Sequence, residues 1–387
     1  MPLYNTHQIR TQEIMPTTRY SYLPQQFSDP SKIFEAMKNV VLNGDYTLGA
    51  AVTEFEERFA KLIGVRHALG VGSGTDALKL SLKAAGIGPG DQVITAANTF
   101  VSTVGAIYEV GAEAVLVDCD QSFCIDCNLL EGALTEKTRA IIPVHLTGNV
   151  TDMPNLMKFA ERHDLIVIED CCQAILSSME GKTSGTWGLT GAFSLHPLKN
   201  LNVWGDGGVI TTDDDDMADR IKLLRNNGVQ GRDSVEILGY NSRLDTIQAV
   251  VANWLLGQTE EITEQRIQNA AYYDAEFSSL QEIQIPRRPS NVRQVYHIYM
   301  VFAEDRDSLY DHCVKNGVEA KIHYEVPLYL QKGLAFLGHG PGDFPETDRH
   351  ARSVITFPVD QHLNLSELEF VVSTVKSYYA RNRGVGK

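Results

Sequence analysis

Seven short apolar segments recur along the first part of this chain: His67–Val71, Gln92–Ala96, Ala114–Asp118, Ala140–His145, Leu165–Glu169, Gly191–His196 and Gly208–Thr212. Helical patterns at Thr75–Ala85, Val101–Val110, Pro154–His163 and Asp216–Asn226 lie between most of them. Strands with no polar alternation are apolar on both faces, which suits a sheet covered by helices on both sides. The pattern predicts an α/β unit with a mostly parallel, seven-stranded sheet. It also says where to look for chemistry, because open α/β sheets bind ligands beyond the carboxyl ends of their strands.

The alternation stops near residue 255. A chain of 387 residues is too long for one small core. The remainder reads as a polar helix from Thr259, a strand His297–Ala303, a helix Asp307–Asn316, a strand Val318–Tyr324, a Gly/Pro-rich stretch Gly333–Pro345 and a final helix from Leu365. The expected organisation is an N-terminal arm over 1–20, a large α/β domain over 21–255 that opens with a helix at 30–43, and a smaller C-terminal α+β domain over 256–387. A formal net charge of −15 argues against nucleic acid or an anionic membrane as the main partner. Residues 1–20 hold no apolar signal core, and no apolar run nears the roughly 20 residues that span a bilayer, so a cytoplasmic protein is expected. Among six cysteines, Cys124 and Cys127 form a C-x-x-C with no second pair at ligand spacing, which reads as free thiols and no metal.

Several residues stand at the expected strand ends. Gly72-Ser-Gly-Thr75 follows a strand and opens a helix, so free N–H groups and the positive dipole end meet at one spot suited to a phosphate. The rival dinucleotide pattern, Gly72-x-Gly74-x-x-Ala77, needs an acid after the next strand, and Asn98 and Thr99 stand there instead. Asp170 ends a very apolar strand. It is either a helix cap or the anionic partner of a pyridinium nitrogen, as a pyridoxal-phosphate enzyme requires, with Gln173 three residues on. Lys199 follows Ser194-Leu-His-Pro-Leu and precedes Gly205-Asp-Gly-Gly208. In an apolar cleft its amine would lose a proton easily and become available for imine formation. Phe100 is either core or a platform for a planar ring. His145 reads as a satisfied buried histidine.

Taken in order, these motifs resemble the DegT/StrS family of nucleotide-sugar aminotransferases, which have the aspartate-aminotransferase fold. Further motifs carry the resemblance from about Asn43 to His362: Gly86-Ile-Gly-Pro-Gly-Asp, Pro143-Val-His-Leu, Glu169-Asp-Cys-Cys-Gln-Ala, Gly239-Tyr-Asn-Ser-Arg-Leu-Asp and Ile322-His-Tyr-Glu-Val-Pro-Leu. The resemblance implies pyridoxal 5'-phosphate as cofactor, held as a Schiff base on Lys199. It implies Asp170 at the pyridine nitrogen, Gln173 at the ring hydroxyl, Gly74, Thr75 and Ser194 on the phosphate, and Phe100 on the ring. Asn241 would reach the phosphate of a second subunit, making a homodimer with shared sites. Tyr46, His323, Tyr324 and Tyr329 are the implied substrate contacts. The implied substrates are L-glutamate and a nucleotide-linked keto-sugar. The spacing of Glu325-Val-Pro-Leu-Tyr329-Leu-Gln, together with Asn241-Ser-Arg-Leu-Asp245, is most similar to members that aminate a 3-keto-6-deoxyhexose. A 4-keto-sugar or a cyclitol would use the same machinery, and a non-enzymatic regulator would not need Lys199. The chain departs from the family at Thr147, where Tyr is usual, at Cys172, where a small residue is usual, and at Tyr329, where His is usual.

Overall fold

In the computed structural model, which describes residues 18–231 and 234–385, seven strands form the central sheet. They are β1 His67–Val71, β2 Gln92–Ala96, β3 Glu113–Val117, β4 Thr138–Ile142, β5 Ile166–Asp170, β6 Thr190–Ser194 and β7 Gly208–Thr212. Their order is β1-β7-β6-β5-β4-β2-β3. Neighbours are parallel except where β7 runs antiparallel to both β1 and β6. The sequence pattern is explained by burial on both faces. Ile94, Ile141, Ile142 and Ile168 are wholly buried, each such side chain contributing about 1.5–3 kcal/mol.

Two of the helices that follow strands start on side-chain caps of their own. The Ser73 hydroxyl accepts from the Asp76 N–H at 3.1 Å at the head of helix Gly74–Ala84. Asp214 accepts from Met217 at 2.7 Å at the head of Asp215–Arg225, which carries acids in its first turn and Lys222 and Arg225 in its last. That polarity matches the helix dipole. Among the helices that escape the sequence analysis are Pro345–Ser353 and a pair that pack on each other, Ala50–Ile63 and Thr246–Leu256. The second of the pair buries Ala249, Val250, Val251, Ala252, Leu255 and Leu256, so it is apolar almost all round and shows no stripe. The first does carry one, Val52, Phe55, Phe59 and Ile63, all buried.

After residue 255 come helix Thr259–Phe277 and a small antiparallel sheet ordered β8-β9-β10, with β8 Ile283–Gln284, β9 Tyr299–Ala303 and β10 Val354–Phe357. Helices Arg306–Lys315 and Leu365–Val385 accompany it. Tyr273, Phe277, Tyr299 and Phe357 lie in its own core, which also takes in Tyr22. Of the expected arm, residues 1–17 lie outside the described residues. Residues 18–22 run along this C-terminal unit: Thr18 bridges Val318, and the Tyr20 N–H donates to the Glu319 carboxylate at 3.0 Å. The strand expected at Val318–Tyr324 does not form. Val318 and Lys321 make single bridges, to Thr18 and Thr356, and neither continues into a ladder.

Two features join the halves of the chain. Val292–Arg293 pairs with Ser178–Met179, a strand of the first half. Asp118, one residue past β3, heads helix Pro345–Ser353. Its carboxylate accepts from the Glu346 N–H at 2.8 Å, the Thr347 N–H at 2.9 Å and the Thr347 hydroxyl at 2.7 Å. No helix among the described residues is long and apolar enough to cross a membrane.

Candidate active site

A cleft of about 360 Å³ opens at the carboxyl ends of β5 and β6. Gly74, Thr75, Phe100, Asp170, Gln173, Ser194, Lys199, His323 and Tyr324 all line it. All but His323 and Tyr324 arrive by a short route from the sheet or from a helix start, which is why topology alone brings those seven together.

Asp170 is the last residue of β5 and is nearly buried. One carboxylate oxygen accepts from the Thr103 hydroxyl at 2.8 Å and the other from the Cys172 N–H at 3.1 Å. Thr103 is joined in turn to Thr99 at 2.7 Å. The carboxylate is held by two residues, one of them braced by a third, and still faces the cleft. Behind it, the buried His145 accepts from the Thr151 N–H on Nδ1 and therefore carries its proton on Nε2, 3.0 Å from Glu169. Glu169 also accepts from the N–H groups of Gly185, Trp187 and Gly188. This buried knot braces the strand from which Asp170 emerges, and its lone pairs are already engaged.

Lys199 sits beyond β6 in a turn closed by its own N–H to the His196 carbonyl at 2.8 Å. Asn202 donates to the Lys199 carbonyl at 2.8 Å, and Asn200 donates to the Val295 carbonyl at 3.2 Å. Burial pushes the lysine below its ordinary value, with the Cys172 thiol and the Asp170 charge pulling partly the other way. A neutral amine is thereby easier to reach. Cys172 itself is raised well above the ordinary thiol range by burial, so it remains a thiol.

Gly74 begins its helix where the chain is closely packed. A Cβ there would meet the Ser194 Cβ and the Cys172 Sγ, each at 2.8 Å. The helix start, Thr75 and Ser194 form a cradle that fits a phosphate. Phe100 stands half exposed at the mouth, its ring centroid 6.2 Å from that of Tyr324. Phosphate cradle, low-pKa amine, held carboxylate and aromatic platform together fit pyridoxal phosphate.

The opposite wall comes from elsewhere in the chain: Tyr20, His297, Ile298, His323 and Tyr324. His323 bonds Thr356 at 2.9 Å, and burial pushes it down to about 4. Burial, then the Asp170 charge, pushes Tyr324 up to about 12. Tyr20, His297 and Thr103 are among the cleft residues that sequence analysis misses. Of these only Thr103 left a trace, a hydroxyl in the first turn after Phe100.

Three expected site residues are placed otherwise. Tyr329 is almost wholly buried, its hydroxyl donates to the Asp348 carboxylate, and it does not line this cleft. Tyr46 is exposed outside the cleft, with its hydroxyl 3.4 Å from the Val41 carbonyl. Asn241 is exposed and does not line the cleft of its own chain.

Residues 28–376 match the model of the DegT/DnrJ/EryC1/StrS aminotransferase family. The chain belongs to this family. The aminotransferase is 37% identical over 351 residues to a pleiotropic regulatory protein of Geobacillus stearothermophilus, covering 90% of this chain and 94% of that one. It is 36% identical to a dTDP-3-amino-3,4,6-trideoxy-alpha-D-glucose transaminase of Streptomyces venezuelae, covering 89% and 92%. Among solved structures, DesV of S. venezuelae in complex with a ketimine intermediate superposes with a TM-score of 0.91 at 35% identity, covering 94% of this chain and 99% of that one. NtdA of Bacillus subtilis with bound PMP gives 0.87 at 27% identity, covering 95% and 86%. The fold is that of pyridoxal-phosphate aminotransferases, and pyridoxal phosphate is the cofactor.

Proposed function

We propose that this aminotransferase moves an amino group from L-glutamate to a nucleotide-linked keto-sugar, at C3 of a 6-deoxyhexose, in the cytoplasm. The observation that carries the reading is the convergence of the Lys199 amine and the Asp170 carboxylate in one cleft at the ends of adjacent strands β5 and β6. Pyridoxal phosphate, when bound, supplies the electron sink. The chain's residues do the rest. Asp170 holds a proton on the pyridine nitrogen, which keeps the ring electron-withdrawing. Lys199 would hold the cofactor and carry a proton on its Nζ. Gly74, Thr75 and Ser194 anchor the phosphate, Gln173 meets the ring oxygen, and Phe100 covers the ring. His323 and Tyr324 form the wall that meets the sugar.

Asn241 belongs in the site of a second subunit in this reading. Its exposure away from its own cleft supports that, as do the exposed apolar side chains Phe34, Val41 and Leu42 on helix Ser31–Asn43. The C3 assignment rests on the length of the stretch 325–331 and agrees with the activity for which the Streptomyces venezuelae relative is named. With Tyr329 buried, the backbone path of that stretch and not the Tyr329 side chain would set the sugar's position. The test is turnover with a panel of nucleotide-linked 3-keto- and 4-keto-sugars and an inosose, with NMR of the product. Nitrogen on C4, or turnover of the inosose alone, overturns the substrate. No transamination of any of them, in protein that binds the cofactor, favours a regulator.

A further inference from the structure

Gln173 enters the cleft on a side chain whose two amide ends differ in chemistry, and the structure determines which end faces outward. The Thr147 N–H lies 2.7 Å from the Gln173 Oε1. An N–H can only donate, so the amide oxygen is taken and the NH2 group faces the cleft, where the Tyr324 hydroxyl accepts one of its two hydrogens and the other is left for a ligand. Thr147 can offer that N–H because its backbone is left-handed, with φ 66° and ψ −1°. This is a costly conformation for a β-branched residue and persists only when its surroundings impose it.

The surroundings are unusually specific. The Thr147 hydroxyl accepts from the Gln294 Nε2 at 2.9 Å, and both residues are buried. Gln294 is aimed in turn: its Oε1 accepts from Arg288 at 3.3 Å, and Arg288 is paired with Asp274 at 3.1 Å. The next residue, Gly148, has no room for a side chain, since a Cβ would lie 2.8 Å from Val295 Cγ2 and 3.0 Å from the Gln173 carbonyl. The Val295 N–H donates to the Gly148 carbonyl at 2.9 Å. Residues 294–295, from the C-terminal half, therefore clamp the turn that orients Gln173.

We propose that Gln294 is a positioning residue for the cofactor: it holds the left-handed turn at Thr147 and so makes Gln173 a dedicated donor to the ring oxygen of pyridoxal phosphate. This rests on the reading of Gln173 as the ring-oxygen contact. A donor there stabilises negative charge on that oxygen, so losing it weakens cofactor binding. It also raises the pH at which the bound cofactor's visible absorbance changes.

The experiment compares Gln173→Ala, Gln294→Met and the double variant Gln294→Met/Thr147→Gly in the full-length protein. The readouts are the pyridoxal phosphate Kd by absorbance titration and the pH midpoint of the bound chromophore, with a thermal melt to exclude unfolding. Gln294→Met is expected to weaken binding about three- to tenfold and to move the midpoint upward by about half a unit to one unit. Glycine adopts the left-handed turn without support, so Thr147→Gly in that background is expected to recover most of both losses. A Gln294→Met protein with unchanged Kd and midpoint overturns the proposal, as does a loss that Thr147→Gly leaves uncorrected. If Gln173→Ala changes neither readout, the assignment of Gln173 itself fails. If Gln173→Ala changes both and Gln294→Met changes neither, only the positioning role fails. Should Gln294→Met melt below the assay temperature, Thr147→Val replaces it. That variant keeps Gln294 and its acceptor for Arg288, lacks the hydroxyl to which Gln294 donates, and is expected to show the same loss, which Thr147→Gly at the same position does not.

Discussion

The two walls of the cleft are built in different ways. One consists of strand ends and helix starts: Gly74 on its helix, Asp170 on β5, and Lys199 in a closed turn after β6. The other is irregular backbone around Tyr20, His297, His323 and Tyr324, held by side-chain bonds such as His323 to Thr356. Regular elements hold an atom in place through many backbone bonds. Irregular segments do so through a few side chains that substitution can remove singly. The first wall thus suits chemistry that cannot vary, and the second suits recognition that can.

The largest test of this contrast is Lys199→Ala. Turnover should fall by at least about a thousandfold, because both the attachment point and the proton carrier are lost. Borohydride should then no longer tag the protein with cofactor. Tagging of another lysine would mean that the rigid wall is not the reacting one.

Asp170→Asn should keep some cofactor and lower kcat about a hundredfold or more, since a neutral amide cannot hold the ring nitrogen protonated. Near-normal kcat would reduce Asp170 to a cap. The same variant carries a pH consequence. The Asp170 charge raises the Lys199 pKa, which burial has already lowered. Removing that charge lowers it further, so capture of pyridoxal phosphate by the apo protein should reach its plateau at lower pH than in the parent. A plateau displaced upward contradicts the arrangement.

A mixture of Lys199→Ala and Asn241→Ala proteins should regain activity in up to about a quarter of its sites, if subunits exchange freely in a two-fold dimer. No recovery after demonstrated exchange would leave each cleft to a single chain.

On the second wall, effects should be smaller and fall on stability and recognition. His323 is kept neutral down to about pH 4, whereas an unfolded histidine takes up its proton near 6.5. The unfolded chain therefore binds more protons between those values, and stability drops as pH falls through that window. His323→Gln should flatten the decline by roughly 3 kcal/mol at most, as read from urea melts at pH 7 and 4.5. Smallest of all, Tyr329→Phe should leave the sugar KM unchanged and cost about 1–3 kcal/mol of stability, because Asp348 loses a buried donor. A changed KM would restore Tyr329 as a substrate contact.

The same contrast explains what was legible in the sequence. Asp170, Lys199 and Gly74 could be read because an apolar strand shows where it ends, and a sheet's carboxyl edge is where ligands go. The helix Thr246–Leu256 could not, since a helix buried all round has no periodic stripe. The burial of Tyr329 is not legible in its motif, because a motif offset counts residues along the chain and says nothing of which way a ring turns. Tyr20 and His297 lie far from every motif, and only packing between segments 270 or more residues apart for Tyr20 brings them to the cleft. Thr147 departs from the family's usual Tyr, and its role shows only in a backbone angle.

Asp118 adds a mechanical consequence. A helix whose first turn is seated on a carboxylate from another sheet is anchored there and not merely leaning on it. Cys119, the next residue, adds two contacts to the same helix, its Sγ 3.4 Å from the Thr347 hydroxyl and 3.3 Å from His350 Nδ1. Pro345–Ser353 is thereby tethered to β3, the edge strand of the central sheet, so a load on β10, which follows the helix directly, is passed on to that edge.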